Sequence, residues 1–269
     1  MRKMLVLLLL ACLALTLVVT LSGCFGPSAE TILKNATNAD KELNTVHFVT
    51  ATTQKLPRAP LQNGQIQKQN YVQKSSGDID LRTKNSEIVT DLAPGIPVTK
   101  LQIGDKQYWQ VAGNWYDVPA SAQDNTAATQ FLSVSQYIKS FKSLKKLGDT
   151  SVEGQPVYHL QAVPDMKEFV KLPIITDLLK DPSGKQIRTV DELAESQIVL
   201  DLYILKNNNF FKKEVVDIAI RANEDLIKLG YAQAGDKVKL NQDVTFSKFN
   251  EKLNFQAPSK TNPLPANKT

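Results

Sequence analysis

The stretch Asp236-Lys237-Val238-Lys239-Leu240-Asn241-Gln242-Asp243-Val244-Thr245-Phe246-Ser247-Lys248-Phe249 has the clearest two-residue period in the chain. Val238, Leu240, Val244 and Phe246 fall on one side, against Lys237, Lys239, Asn241, Asp243, Thr245 and Ser247 on the other. Alternation of this kind predicts a β-strand with one face buried. The same pattern lies just upstream. Ile198 to Leu205 places Leu200, Leu202 and Ile204 on one face, and Phe210 to Ile220 alternates through Val216, Ile218 and Ile220. Asn207-Asn208-Asn209 separates them as a turn, because Asn tolerates left-handed φ. The last third is therefore read as antiparallel sheet.

Further upstream, helical and extended periods alternate. Thr189 to Glu195 reads as a short helix. Asp165 followed by Glu168 resembles a capping box and opens an apolar segment through Phe169, Val170 and Leu172. Pro173 must break or kink that segment before Ile175, Leu178 and Leu179, which makes it either an interrupted core helix or a flap. Gly148 to Glu153 and Gln155 to Ala162 read as extended. Thr126 to Leu147 reads as a helix, with a stripe of Phe131, Val134, Ile138, Phe141 and Leu144 and with Gly148 as its stop.

Before that comes a meander: Glu87 to Leu92, Val98 to Ile103, Lys106 to Val111 and Trp115 to Val118. Gly104-Asp105 and Gly113-Asn114 are its turns. Val46, Phe48 and Thr50 share a face of the first strand. Leu56 to Gly64 is expected as a loop, Gln65 to Lys74 as a solvated edge strand, and Ser76-Gly77-Asp78 as a turn into Ile79 to Thr83. Ile32, Ala36, Ala39 and Leu43 mark a first helix. The sum is an α+β chain: about eleven strands in one antiparallel sheet, which at that size must curl, with helices available to cover its concave face.

The N-terminus carries an export signal. Arg2 and Lys3 precede the apolar run Leu5 to Val19, and Leu21-Ser22-Gly23-Cys24 forms a lipobox. Cleavage after Gly23 leaves Cys24 to take the lipid. The expected organisation is a signal peptide over 1–23, a lipidated tether over 24–27, one domain over 28–256 and a disordered Pro-rich tail over 257–269. The formal charge of +5 falls by two once Arg2 and Lys3 are removed. That near-balance, without a dense basic cluster, argues against nucleic acid. With Cys12 in the signal and Cys24 lipidated, no thiol or disulfide remains in the domain.

Catalytic patterns are missing. The only histidines, His47 and His159, both read as strand residues with structural roles, and zinc and thiol chemistry lack ligands. There is no nucleophile elbow, P-loop or dinucleotide fingerprint. The chain is read as a non-enzyme with no cofactor and no metal, and as a monomer. Trp109 and Trp115 suit either core packing or a lipid-facing mouth.

In order and content the features resemble the LolA-like lipoproteins of the LppX/LprG type. The resembling pieces are the lipobox, the helix Thr31 to Leu43, the strand Val46 to Thr53, Asn114-Trp115-Tyr116-Asp117-Val118-Pro119, the run Val152 to Leu160, the run Leu200 to Leu205 and the strand Val238 to Phe249. The resemblance implies a U-shaped half-barrel enclosing an apolar cavity, an extracytoplasmic protein anchored to the cell membrane, and a lipid or lipoglycan ligand. Acyl chains would then lie against Phe48, Leu101, Trp109, Leu200, Leu202, Ile204, Val216, Ile218, Val238, Leu240, Val244 and Phe246. The helix bearing Phe131, Val134, Ile138 and Phe141 would cover them, and Phe169, Leu172, Ile175 and Leu178 would form the flap. Two alternatives stand beside this one. A sensor or assembly factor of the same fold would have a filled barrel and a protein partner, and an envelope hydrolase would need a carboxylate pair in a cleft. An acyl cavity requires a few hundred Å³ of apolar void.

Overall fold

Ser28 starts the first helix. Its hydroxyl accepts the Thr31 backbone N–H at 3.2 Å, and its carbonyl accepts the first helical bond from Ile32 at 2.9 Å. That is N-capping by a side chain that satisfies an otherwise orphaned donor. The helix, α1 (Ala29–Asp40), buries Ala29, Ile32, Leu33 and Ala36. Its apolar face follows the predicted spacing, with Leu43 packed against the core beyond the last turn. The computed structural model describes residues 26–60, 66–91, 96–119, 140–169, 195–222, 224–228 and 230–264.

The strands are β1 (Thr45–Pro60), β2 (Ile66–Asp80), β3 (Ser86–Asp91), β4 (Pro97–Ile103), β5 (Lys106–Val111), β6 (Asn114–Val118), β7 (Phe141–Val152), β8 (Gln155–Pro164), β9 (Gln197–Leu205), β10 (Phe211–Arg221), β11 (Lys237–Ser247) and β12 (Asn262–Pro263). Two short helices, α2 (Met166–Phe169) and α3 (Glu224–Lys228), complete the described elements. All the strands belong to one open sheet, ordered β12-β6-β5-β4-β3-β2-β1-β11-β10-β9-β8-β7. Each neighbouring pair is antiparallel except β12 with β6. The α+β, mainly sheet architecture stands as expected, with a parallel exception at one edge.

Directly opposed residues of antiparallel strands share a face. Following the register from Phe48 therefore defines one continuous side, the core face. Phe48 opposes Phe246 and Gly77, Gly77 opposes Ile88, and Ile88 opposes Lys100, which opposes Trp109. In the other direction Val244 opposes Glu214, which opposes Leu202, which opposes Leu160.

Several local expectations are corrected. Phe141 and Leu144 belong to strand β7, not to a helix ending at Gly148. The register shifts between Phe141 and Ser143 and again between Lys146 and Gly148. Each bulge adds one residue, which turns a period of two into an apparent period of three. The remainder of that expected helix, with Phe131, Val134 and Ile138, lies outside the described residues. Ser76-Gly77-Asp78 continues β2 rather than turning. The chain reverses over Leu81 to Asn85, where Asp80 accepts the Arg82 and Thr83 backbone N–H groups. The Gln-rich segment keeps its expected edge character up to Lys74, where it pairs with β1 and is exposed from Asn70 to Lys74, and β2 lies between β1 and β3 only from Ser75 to Ile79. Strand β1 runs through the expected loop as far as Pro60. Within the expected tail, Asn262 and Pro263 pair with Tyr116 and Asp117 of β6, and Thr261 donates to the Asp117 carboxylate at 2.6 Å. A disordered 257–269 is therefore overturned as far as residue 264.

Candidate functional site

The core face has three regions. The first is filled. Ile32, Leu33 and Ala36 of α1 are buried in one cluster with Phe48, Leu160, Leu200, Leu202, Ile204, Val244 and Phe246. Leu202 and Ile204 of the predicted acyl surface are 0% exposed, as is their neighbour Leu160, so this part of that surface is closed core. Phe169 of the expected flap is buried in the same cluster. Asp165 caps its short helix by accepting the Lys167 N–H at 3.0 Å. Leu172, Ile175 and Leu178 lie outside the described residues. A second, smaller cluster joins Leu56, Ala222, Ala232 and Val238, with Ile227 and Tyr231 against it.

Between these clusters runs a row that is only partly buried. Val216 and Ile218 of β10 pack on the margin of the first cluster, and Ile220 and Leu240 continue toward the second. Leu240 opposes Ile218, and Val238 opposes Ile220. Glu214 stands at the head of this row, between Leu202 and Val244. Burial, with the Asp40 charge second, pushes its carboxyl up to about 8. A lone carboxyl among apolar neighbours holds its proton because the charged form loses its hydration.

The third region is polar. On β1 to β5 the core face carries Thr50, Thr52, Gln73, Ser75, Thr90 and Lys100, which surround a recess of about 210 Å³ with Gln102, Gln107 and Gln242. The Ser75 and Thr90 hydroxyls bond each other at 2.9 Å. Lys100 holds its ammonium 5.3 Å from the Trp109 ring centre. This recess is smaller and more polar than an acyl cavity requires. Trp109 stands on the core face, opposite Lys100. Leu101 borders the recess but opposes Glu87 and Tyr108, so its side chain is on the outer face. Alternation excludes Leu101 and Trp109 from sharing one wall.

The outer face holds two pairs that the sequence reading missed. His47 Nδ1 lies 2.8 Å from Asp78, and His159 Nε2 lies 2.8 Å from Asp201. His159 also stacks on Tyr203 with ring centres 4.3 Å apart, and burial and the Asp201 carboxylate raise the Tyr203 phenol above its usual value. Each histidine meets its carboxylate across a strand boundary, and no local motif marks such a pair. Among the described residues no group of three His, Cys, Asp or Glu is placed to hold a metal. Gly23 and Cys24 lie outside the described residues. Gly26, two residues beyond Cys24, sits against β7, where an added Cβ would be 3.0 Å from Lys146 Nζ.

A single open sheet of this order and register, with an apolar patch and a short N-terminal helix in one core, defines a LolA-like fold of the LppX/LprG type. The solved structure of LprF from Mycobacterium bovis is similar to it, with 15% identity over 87% of this chain and 99% of that one, and a TM-score of 0.50. The lipoprotein LppX of Mycobacterium tuberculosis gives 14% identity, coverage of 84% and 96%, and a TM-score of 0.49. A LolA superfamily protein from Nitrosomonas europaea gives 12%, 89% and 96%, and 0.25. No protein-family model matches the sequence, and no curated protein matches it.

Proposed function

We propose that the chain is a lipid-anchored, extracytoplasmic lipoprotein that binds acyl chains on its core face and passes lipid or lipoglycan within the cell envelope. Cleavage after Gly23 and lipidation of Cys24 hold it at the membrane, since Ser22-Gly23-Cys24 follows an apolar run with a basic start. The three residues between Cys24 and the Ser28 cap keep the domain within roughly 10–15 Å of its anchor.

The observation that carries the reading is the incompletely covered apolar row of Val216, Ile218, Ile220 and Leu240 between two filled clusters. A partly exposed apolar row on the buried side of a sheet is unfavourable unless something apolar lies on it. Acyl chains supply that surface without needing directed hydrogen bonds. In this reading α1 covers the deeper part of the face, and Phe48, Leu200, Leu202, Ile204, Val244 and Phe246 support the row from beneath α1 rather than touching ligand.

Native mass spectrometry of the lipidated protein after mild extraction tests this, together with uptake of a fluorescent fatty acid. Bound lipid and saturable uptake, both reduced by Ile218→Asp, are expected. Protein free of lipid with no uptake would refute it. A second reading, a sensor or assembly factor with a protein partner, is favoured by one observation: Phe48, Leu160, Leu202 and Ile204 are already buried in one cluster with Ile32, Leu33 and Ala36 of α1. It requires partner binding that survives Ile218→Asp.

A further inference from the structure

We propose that the polar recess on β1 to β5 binds the hydroxyl-rich head of the ligand, a sugar or polyol, beside the apolar row. This rests on the lipid-binding reading and adds to it a site for the other end of the molecule. Twelve strands could line their core face with apolar residues throughout, yet here Thr50, Thr52, Gln73, Ser75 and Thr90 replace them. The space, about 210 Å³, matches roughly seven water molecules at the volume each occupies in the liquid, the scale of one sugar ring and its hydroxyls.

Among the described residues that line the recess, Thr50 Oγ1 is buried without a hydrogen-bond partner in the chain, and Trp109 Nε1, outside the lining but on the residue that opposes Lys100, is another such atom. Native proteins rarely leave such an atom unmatched, so Thr50 Oγ1 is open to a group supplied from outside the chain. The lining also selects the chemistry. Hydroxyls and side-chain amides both donate and accept, as sugar hydroxyls do. Among the described residues of the lining Lys100 is the sole ionisable group, and it already sits over the Trp109 ring. A phosphate or carboxylate head would call for several cations or a bidentate Arg. A neutral polyhydroxyl group needs neither.

The recess and the row are contiguous. Gln242 opposes Thr52 on one side and Val216 on the other, so a single side chain borders both. An amphiphile would therefore lay its chain along Val216 and Ile218 and turn its head across Gln242 into the recess.

The test uses the full lipidated chain in nanodiscs, in a Trp115→Phe background. Trp115 opposes Gln110 on the outer face, so the remaining tryptophan, Trp109, reports on the recess by its fluorescence. The probes are octyl glucoside below its micelle concentration, octan-1-ol and methyl glucoside, with calorimetry alongside. Octyl glucoside is expected to bind at least tenfold tighter than octan-1-ol. Thr50→Val with Gln242→Leu should erase that difference, leave octan-1-ol binding unchanged and keep the thermal midpoint, while Thr50→Ser should retain the preference. Equal affinity for octyl glucoside and octan-1-ol in the unsubstituted recess would overturn the head site and leave lipid binding standing. Methyl glucoside binding as tightly as octyl glucoside would uphold the sugar chemistry and overturn its lipid source. No binding by any probe would overturn both.

Discussion

Replacing Glu214 by Gln removes a titratable carboxyl from the core face and leaves its shape nearly unchanged. Glu214 lies between Leu202 and Val244, and its carboxyl is raised from 4.5 to about 8, first by burial and then by Asp40. Between those values the folded chain keeps a proton that the unfolded chain has released. Stability therefore falls as pH rises through this window, is fully present below about pH 4.5 and levels off above pH 8. At about 1.4 kcal/mol per unit, the wild type should lose up to about 4 kcal/mol between pH 5 and 8.5 from this group. The figure is an upper bound, because Glu214 retains some exposure. Urea unfolding of the wild type and of Glu214→Gln at both pH values isolates the effect, since every other titrating group cancels in their difference. Glu214→Gln should gain on the wild type as pH rises. Parallel profiles, with a difference that changes by less than about 0.5 kcal/mol, would refute the assignment of a neutral buried carboxyl.

Two other perturbations test the frame that holds the site. At Gly77 a Cβ would stand 2.3 Å from the Glu87 carbonyl oxygen and 2.9 Å from Ile88 Cα, both backbone atoms that cannot swing aside. Gly77→Ala should cost about 3 kcal/mol in urea unfolding and raise amide exchange on β3, whereas Gly104→Ala, with nothing within 4 Å but a φ of 58°, should cost only about 1 kcal/mol. Ending the chain after Gln256 removes β12 and the Thr261 hydrogen bond to Asp117, which leaves β6 as an open edge. Such an edge templates pairing with other chains. Light scattering should show concentration-dependent association of the shortened protein but not of the full chain, and equal scattering from both would count against an edge-capping role.

The sheet was legible wherever the two-residue period ran unbroken. In β9 to β11 the alternation of Leu200, Leu202 and Ile204 against Asp201 and Tyr203 reports burial on one side, and that needs no knowledge of partners. The β4–β5 hairpin was readable because Gly104 supplies a positive φ at its turn. Where bulges add residues, as at Lys142 and Leu147 of β7, the period changes and local pattern imitates a helix. Gly77 misled for a related reason. Glycine is the usual residue of a turn, yet here it is needed because the β3 backbone comes too close for a side chain.

By itself, then, the sequence determined the first helix, an antiparallel β chain and the apolar residues of its buried side. Each of these depends on neighbours a few positions apart. Only the tertiary structure decided which apolar residues are buried in one cluster with α1 and which remain partly exposed. It alone put Leu101 and Trp109 on opposite faces, brought His159 to Asp201, and gathered Thr50, Gln73, Ser75, Lys100 and Gln242 around one recess. Strand register joins residues far apart in the chain, and a shift of one residue in any ladder reverses which side chains meet.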